Sequence, residues 1–165
     1  MSEDASAVRL VGPSDGETLR DPDGSHDRFM IPGDDAGGAF ALVEHLLSPR
    51  RLAAPLHRHS REDEYTYVLE GRVGAVLAGQ EAYADVGCLL YKPRGQWHTF
   101  WNAGDEPARM LEIISPGGFE QAFRDLAAID GELTPEAIAE IAARYGVEAD
   151  FEGTMPLIER HGLSF

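Results

Sequence analysis

The stretch that decides the fold runs from Pro55 to Asn102 and reads PLHRHSREDEYTYVLEGRVGAVLAGQEAYADVGCLLYKPRGQWHTFWN. Short runs of β-branched and aromatic residues recur in it, separated by turns that contain glycine, proline or charged residues. This pattern is typical of many short strands. Because no helical periodicity lies between the strands, the pattern predicts an antiparallel sandwich or a small closed barrel.

Three histidines and one glutamate in this stretch predict a metal site. Residues i and i+2 of a strand lie on the same face, so His57 and His59 point together. Glu64 opens the next strand, and His98 opens a strand after a turn of proline and glycine. Three neutral imidazoles and one carboxylate suit one divalent transition metal (Fe, Ni, Mn, Co, Cu or Zn) and leave coordination positions open for water, substrate or oxygen.

The same residues resemble the two motifs of the cupin superfamily. The first motif is matched at His57, His59, Glu64 and Gly71, with Arg51 in place of its initial glycine. The second motif is matched at Gly87, Pro93, Gly95, His98 and Asn102. The resemblance covers about residues 39–115. It implies an all-β fold, the cupin jelly-roll β-barrel, with a working metal site because none of the four ligand residues is replaced.

The chain around this stretch divides into three parts. The barrel core is predicted over 39–116, with strands at 39–47, 63–70, 72–78, 81–85, 88–91, 97–102 and 108–114. Residues 1–38 are predicted to form a loop-rich N-terminal arm, either a lid or a segment lying along the barrel, with one short strand at 29–31. Residues 117–165 are predicted to form a helical C-terminal extension that packs on the barrel. Its expected helices are 118–129, one capped by Thr134 and ended by Gly146, and a short one at 155–161.

Strand alternation assigns the neighbours of His98. Phe100 and Asn102 share its face, so we expect Phe100 to line the cavity and Asn102 to close a turn or form a hydrogen bond behind the site. The aromatic residues expected to face away, as core or subunit contacts, are Tyr65, Tyr67, Trp97 and Trp101. On an earlier strand only one of Glu44 and His45 can point inward. A lateral surface position is predicted for them, and the alternative is a role behind the metal site or in acid–base chemistry.

Charge and cysteine content restrict the partners. Asp and Glu number 29 against 14 Lys and Arg, and the net charge of -15 argues against nucleic acid and anionic membrane surfaces. Cys88 is the only cysteine, so no intrachain disulfide forms and a cytoplasmic location is expected. Glu3 and Asp4 near the start, and the lack of a long apolar run, argue against a signal peptide or membrane span. The expected partners are a small-molecule substrate and a second copy in a homodimer, which the resemblance and the exposed edges of a small barrel both favour.

The resemblance leaves several activities open. Cupins include metal-dependent dioxygenases such as quercetinase-like enzymes, isomerases, polyketide cyclases, decarboxylases and non-catalytic binders, and the fold does not choose among them. An open metal face can acidify an enol or catechol-like oxygen pair and present it to O2, with Glu64 as ligand or proton acceptor. We therefore expect a dioxygenase acting on a flavonol-like or polyketide substrate, with Glu64 as the catalytic residue. The alternatives are a redox-neutral cyclase or isomerase and a non-catalytic small-molecule binder.

Overall fold

A computed structural model describes residues 8–165; Glu3 and Asp4, used above against a signal peptide, lie outside the described residues. Its strands are β1 (Thr18–Arg20), β2 (His26–Ile31), β3 (Ala41–Leu47), β4 (Leu56–His59), β5 (Asp63–Glu70), β6 (Val73–Leu77), β7 (Gln80–Ala84), β8 (Leu89–Lys92), β9 (His98–Asn102), β10 (Ala108–Ser115) and β11 (Val147–Asp150). Its helices are α1 (Gln121–Ala127), α2 (Pro135–Arg144) and α3 (Phe151–His161), with one 3₁₀ turn at Gly33–Ala36.

The strands form two antiparallel sheets. The order is β1-β2-β3-β10-β5-β8 in the six-stranded sheet and β11-β4-β9-β6-β7 in the five-stranded sheet. Inward-facing apolar side chains from both sheets form one core, including Val68 and Met110 from the first sheet and Ala75 and Phe100 from the second. The predicted all-β jelly-roll barrel with a helical extension is confirmed.

Two glycines at tight turns show why the barrel closes where the sequence predicts. Gly71, between β5 and β6, has a φ of 77°, and a Cβ there would lie 2.9 Å from Ala108. Gly95 has a φ of 78°, and its N–H donates to the carbonyl of His59 at 2.7 Å. Only glycine adopts such conformations without strain. The turn before His98 is thereby fixed to the strand that carries the other two histidines.

Asn102 closes a turn, as predicted. Its amide nitrogen donates to the carbonyls of Leu47, Ser48 and Glu106, and its oxygen accepts from Gly104 N–H at 2.8 Å. Trp101 faces the opposite way and is buried in a separate apolar cluster with Leu52 and Leu157. The asparagine therefore has a structural role and does not contact the candidate site.

The N-terminal region contains more regular structure than its composition predicts. Both β1 and β2 extend the six-stranded sheet, whereas the sequence predicted one short strand at 29–31. Strand β2 carries Arg28, whose guanidinium is buried against Glu44 and the carbonyls of Gly12 and Asp15. Because distant residues bury the polar side chains of this strand, its own sequence does not show the alternation of polar and apolar residues that predicts a strand.

The C-terminal region contains the predicted helices and one strand that was not predicted. Thr134 caps α2 by accepting from Ala137 N–H at 3.2 Å, and Asp150 caps α3 by accepting from Gly153 N–H at 2.8 Å. Strand β11 lies between these helices and pairs with β4. In the part of the chain that the structure describes, no helix has the length and apolar character needed to cross a membrane.

Candidate metal centre

The two sheets together place the four predicted ligand residues. His57 and His59 lie on β4, Glu64 on β5 and His98 on β9, and His57 is the cross-strand partner of His98. One nitrogen or carboxylate oxygen from each residue lies within 4.8 Å of the corresponding atoms of the other three, and all four residues are buried. Four potential ligand atoms at this spacing can surround a single ion.

Each imidazole is oriented through its Nδ1 atom. The hydrogen-bond acceptors are the carbonyl of Pro55 for His57 (2.7 Å), the carboxylate of Glu62 for His59 (3.2 Å) and the carbonyl of Gln96 for His98 (3.0 Å). A proton held on Nδ1 leaves the lone pair on Nε2, the arrangement that partners behind a metal site usually impose. All three rings are thus prepared to present Nε2 to the same space.

One buried nitrogen in the cluster has no hydrogen bond. Among the described residues none hydrogen-bonds to His59 Nε2, although Glu64 Oε1 lies 3.3 Å away. A buried polar atom without a partner destabilises the fold by about 1–3 kcal/mol. A divalent cation at the centre would satisfy this atom, so the residues present fit a bound transition metal. The donor set does not distinguish among the possible ions.

Glu64 also forms a buried ion pair with Lys92, which in turn is paired with Glu112. Lys92 Nζ lies 3.1 Å from Glu64 Oε2 and 2.5 Å from Glu112 Oε1, and Thr66 donates to Glu112 at 2.5 Å. Lys92, the only lysine of the chain, is 1% exposed. This network was not predicted, because a lysine directly before Pro93 in the sequence is typical of an exposed turn. The pairing of Glu64 with Lys92 across β5 and β8 is the signal that identifies it.

The charges in the cluster favour ligand-competent forms at His57 and Glu64. Burial, reinforced by His98 and His59, lowers the pKa of His57 well below its usual value, so this ring is neutral. Burial alone would raise the pKa of Glu64, but Lys92 and His59 outweigh it and lower this pKa well below its usual value. Burial lowers the pKa of His59, yet Glu64 and Glu62 raise it to about 9. A metal ion bound by His59 at neutral pH would therefore displace a proton from this ring.

A cavity of about 220 Å³ opens beside the centre. His57 and Glu64 lie on its wall. Its apolar lining includes Phe100, as predicted, and residues of the C-terminal extension: Phe119, Phe123, Leu126, Ile138 and Val147. The extension therefore forms part of the cavity wall, and its aromatic and aliphatic side chains line the same cavity as the candidate ligands His57 and Glu64.

The predicted surface position of Glu44 and His45 is wrong. Both residues are buried, at 7% and 6% exposure. Glu44 points outward from β3, and the side chains of Arg28 and Arg109, each at 3.2 Å, cover it. His45 points inward and lines the cavity.

Comparison with known proteins agrees with this architecture. Residues 43–114 match the family model described as Cupin domain. Tetracenomycin polyketide synthase protein TcmJ of Streptomyces glaucescens is 28% identical over 93 residues, 56% of this chain and 62% of its own length. Polyketide synthase CurC of Streptomyces cyaneus is 40% identical over 62 residues, 36% of this chain and 39% of its own length. The chain thus spans less than two thirds of either curated relative.

A solved structure extends the similarity to three dimensions. The polyketide cyclase RemF from Streptomyces resistomycificus superposes with a TM-score of 0.55 at 28% sequence identity. The match covers 66% of this chain and 80% of RemF.

Proposed function

Because this chain is a small member of the cupin superfamily with a possible metal site, we propose that it is a metal-dependent cyclase that closes a ring in a polyketide-like substrate without net oxidation. This reverses the order expected from the sequence, in which a dioxygenase came first. The polyketide relatives support the reversal, since RemF is described as a polyketide cyclase and TcmJ and CurC as polyketide synthase proteins.

The observation that carries the proposal is the position of the four-residue cluster at the edge of an apolar cavity. A substrate with oxygens at one end and a flat carbon skeleton at the other would match both parts. Phe100, Phe119 and Phe123 offer aromatic surface to such a skeleton. The net charge and the single cysteine also support the sequence-based proposal of a cytoplasmic enzyme with a small-molecule substrate.

The chain's own residues would bind and orient the substrate. A metal ion held by His57, His59, Glu64 and His98 supplies Lewis acidity toward a carbonyl or enol oxygen. Lys92 keeps Glu64 ionised and in place, and the backbone carbonyls of Pro55 and Gln96 fix two of the imidazoles. The aromatic wall excludes water from the reacting carbons, which favours attack within the substrate over hydrolysis.

The dioxygenase remains the second candidate. Three imidazoles and one carboxylate also suit redox-active ions such as Fe, Ni, Mn and Cu. In that case the substrate would be an enolisable or catechol-like compound, and the reaction would consume O2.

The test is an assay with a synthetic poly-β-ketone thioester, followed by mass spectrometry and an oxygen electrode. We expect a product lighter by one water, faster formation than without protein, and no oxygen uptake. Products that contain both atoms of O2, with matching oxygen uptake, would replace the cyclase with the dioxygenase. Ring closure at the same rate with His98→Ala as with the unaltered protein would contradict both functions, because both require the metal centre.

A further inference from the structure

We propose that Asp27 and His45 form an acid–base pair in which His45 Nε2 exchanges a proton with the substrate. The inference deepens the proposed function and rests on it, since it assigns the proton transfers of ring closure to residues outside the metal centre. It depends on the geometry of β2 and β3 and on the cavity they share with the cluster.

The two side chains are held together across neighbouring strands. Asp27 and His45 are direct partners in the register of β2 and β3, and Asp27 Oδ1 lies 2.6 Å from His45 Nδ1. The imidazole lies near Phe100 and Phe123, with ring centroids 6.0 and 5.9 Å away. A carboxylate at Nδ1 and aromatic rings around the imidazole fix both its tautomer and its orientation.

The second ring nitrogen of His45 is available to a ligand. Among the described residues, only Asp27 hydrogen-bonds to this ring. In the described structure the fully buried side-chain atoms without a hydrogen bond are His59 Nε2 and His161 Nε2. His45 Nε2 also has no partner there but is not among these atoms, so it keeps some accessible surface. Since His45 also lines the cavity, Nε2 is accessible from it. Asp27, His45, His57 and Glu64 all line this one cavity.

The barrel does not need a histidine at this position. The neighbours of His45 on the inward face of β3 are Val43 and Leu47, and its partner on β10 is Met110, all buried and apolar. A buried polar side chain at such a position destabilises a fold unless it is paired. An apolar side chain would fill the space, so the paired histidine points to chemistry in the cavity.

The surrounding charges allow His45 to hold a proton. Burial lowers the pKa of His45, but the carboxylates of Asp27 on β2 and Glu112 on β10 outweigh both burial and the positive charge of Lys92 on β8. The net effect raises the pKa of His45 above its usual value. The imidazole of the pair can therefore take a proton at Nε2 and return it to the substrate.

The proposed step is balanced without a co-reactant. His45 Nε2 takes a proton from the carbon between two carbonyl groups of the substrate, and the electron pair of that C–H bond forms an enolate. The enolate carbon bonds to a second carbonyl carbon of the same chain, whose oxygen takes the proton back from the imidazolium. This addition product has the mass of the substrate. It then loses one water, as a proton from the former enolate carbon and hydroxide from the new alcohol carbon, which gives the lighter product. No electrons leave the substrate, and Asp27 stabilises the transient charge on the ring.

The test uses a dye that reports proton transfer in the metal-free protein. The visible absorbance of 1,8-dihydroxyanthraquinone changes when its phenol ionises, so a pH titration of the bound dye measures its apparent pKa. We expect the chelator-treated protein to lower this pKa relative to free dye by about one unit or more, because His45 accepts the proton. His45→Gln should remove the shift, and Asp27→Asn should reduce it.

His161→Gln is the matched control. His161 is also near a carboxylate, with Nε2 3.2 Å from Glu81, but it packs on Trp101 outside the cavity, so the shift should remain. The inference is overturned if the unaltered protein leaves the ionisation of the dye unchanged, with or without binding. It is also overturned if His45→Gln shifts the dye as strongly as the unaltered protein.

A kinetic measurement separates this inference from the proposed function. With the poly-β-ketone thioester, His45→Gln should lower kcat about 100-fold or more, with little change in KM and a flattened pH profile. Unchanged kcat in a folded His45→Gln variant would refute the acid–base role while leaving the metal-dependent cyclase standing. Absence of ring closure in every variant, together with the expected dye shift, would instead refute the cyclase.

Discussion

At the scale of single residues, His98 contacts candidate ligands on two other strands. It pairs with His57 across β4 and β9, and its Nε2 lies 3.1 Å from Glu64 Oε2. It is 1% exposed, so shortening its side chain would leave a buried cavity that the structure must rearrange to fill. Removing this one ring takes away a candidate ligand and exposes the carboxylate of Glu64 beside it.

We predict that His98→Ala abolishes tight metal binding. The unaltered protein should retain about one transition-metal ion per chain after purification without chelator, whereas the variant should retain almost none. Inductively coupled plasma mass spectrometry measures both. His161→Ala, which removes a histidine outside the cluster, should keep its metal. A stoichiometric ion in His98→Ala would disprove the four-residue site.

Glu44 gives a prediction about pH. Burial would raise the pKa of its carboxyl, but hydrogen bonds and charge from Arg28 and Arg109 outweigh burial and lower it. A carboxyl with a lowered pKa in the folded state stabilises the fold above its unfolded-state pKa, and this stabilisation is lost as pH falls through the folded-state pKa.

Thermal unfolding of Glu44→Gln across pH tests this sign. The Tm of the unaltered protein should exceed that of the variant at neutral pH, and the difference should shrink in acid. Glu140→Gln is the control, because Glu140 forms an exposed pair with Arg144 on one helix and should show little difference at any pH. A Tm difference for Glu44→Gln that does not change with pH would show that the lowered pKa does not contribute.

The juxtaposition of His57, His59 and Glu64 could be predicted because their spacing is short and strand alternation places the two histidines on one face. His98 was grouped with them by its residue type and by the resemblance to the second cupin motif. His57 and His59 are two apart on one strand, and a single turn separates them from Glu64. His45 and Lys92 could not be assigned in the same way. Their burial depends on partners far along the chain, Asp27 and Glu112, which only the sheet order brings close.

At the scale of elements, β11 and α3 stabilise the strand that carries two of the candidate ligands. β11 pairs with β4 from Leu56 to His59, and Leu56 N–H donates to the hydroxyl of Thr154 on α3 at 2.9 Å. Asp150 ends β11 and caps α3. The cap therefore connects the stability of a helix to the position of His57 and His59.

We predict different outcomes for two helix caps. Asp150→Ala and Thr134→Ala should each lower the free energy of unfolding by about 1 kcal/mol, since each removes one capping acceptor. Only Asp150→Ala should also speed the loss of metal to a chelator, because α2 does not contact β4 through its cap. Urea unfolding and chelator competition measure the two effects. Equal metal retention in both variants would contradict the coupling of α3 to the site.

The missed elements share a physical cause. Strand β11 has the sequence VEAD and β1 has TLR, and each is too short to show alternation. Such strands form because a neighbouring strand offers its free edge, and local propensity contributes little. The longer strands β5 and β10 do alternate, and both were predicted.

At the scale of the molecule, the part of the outer face of the six-stranded sheet formed by β5, β8 and β10 carries apolar and aromatic side chains. Tyr65 stacks on Tyr91 with ring centroids 5.0 Å apart, and Leu89 is 56% exposed. Tyr67 lies opposite Leu89 and Ile113 lies opposite Tyr65, so the five side chains form one patch at an edge of the sheet. A contiguous apolar patch of this kind favours contact with another protein surface.

We predict that the protein is a homodimer through this patch. Leu89→Arg should produce monomers, because it places a charge in the middle of the proposed interface. Met155→Arg, at an exposed apolar residue of α3, should leave the dimer intact. Light scattering coupled to size-exclusion chromatography gives the mass of each. A monomeric unaltered protein, or a dimeric Leu89→Arg variant, would exclude this interface.

The order of the five-stranded sheet has a consequence for biosynthesis. Strand β4, with His57 and His59, is the first of its sheet to leave the ribosome, and its neighbour β11 is the last. Until β11 emerges, one edge of β4 has no partner strand, and the wall formed by Val147 is missing from the cavity. We therefore expect the chain to bind its metal only after β11 has been synthesised as far as Asp150, so that metal binding comes at the end of synthesis or after it.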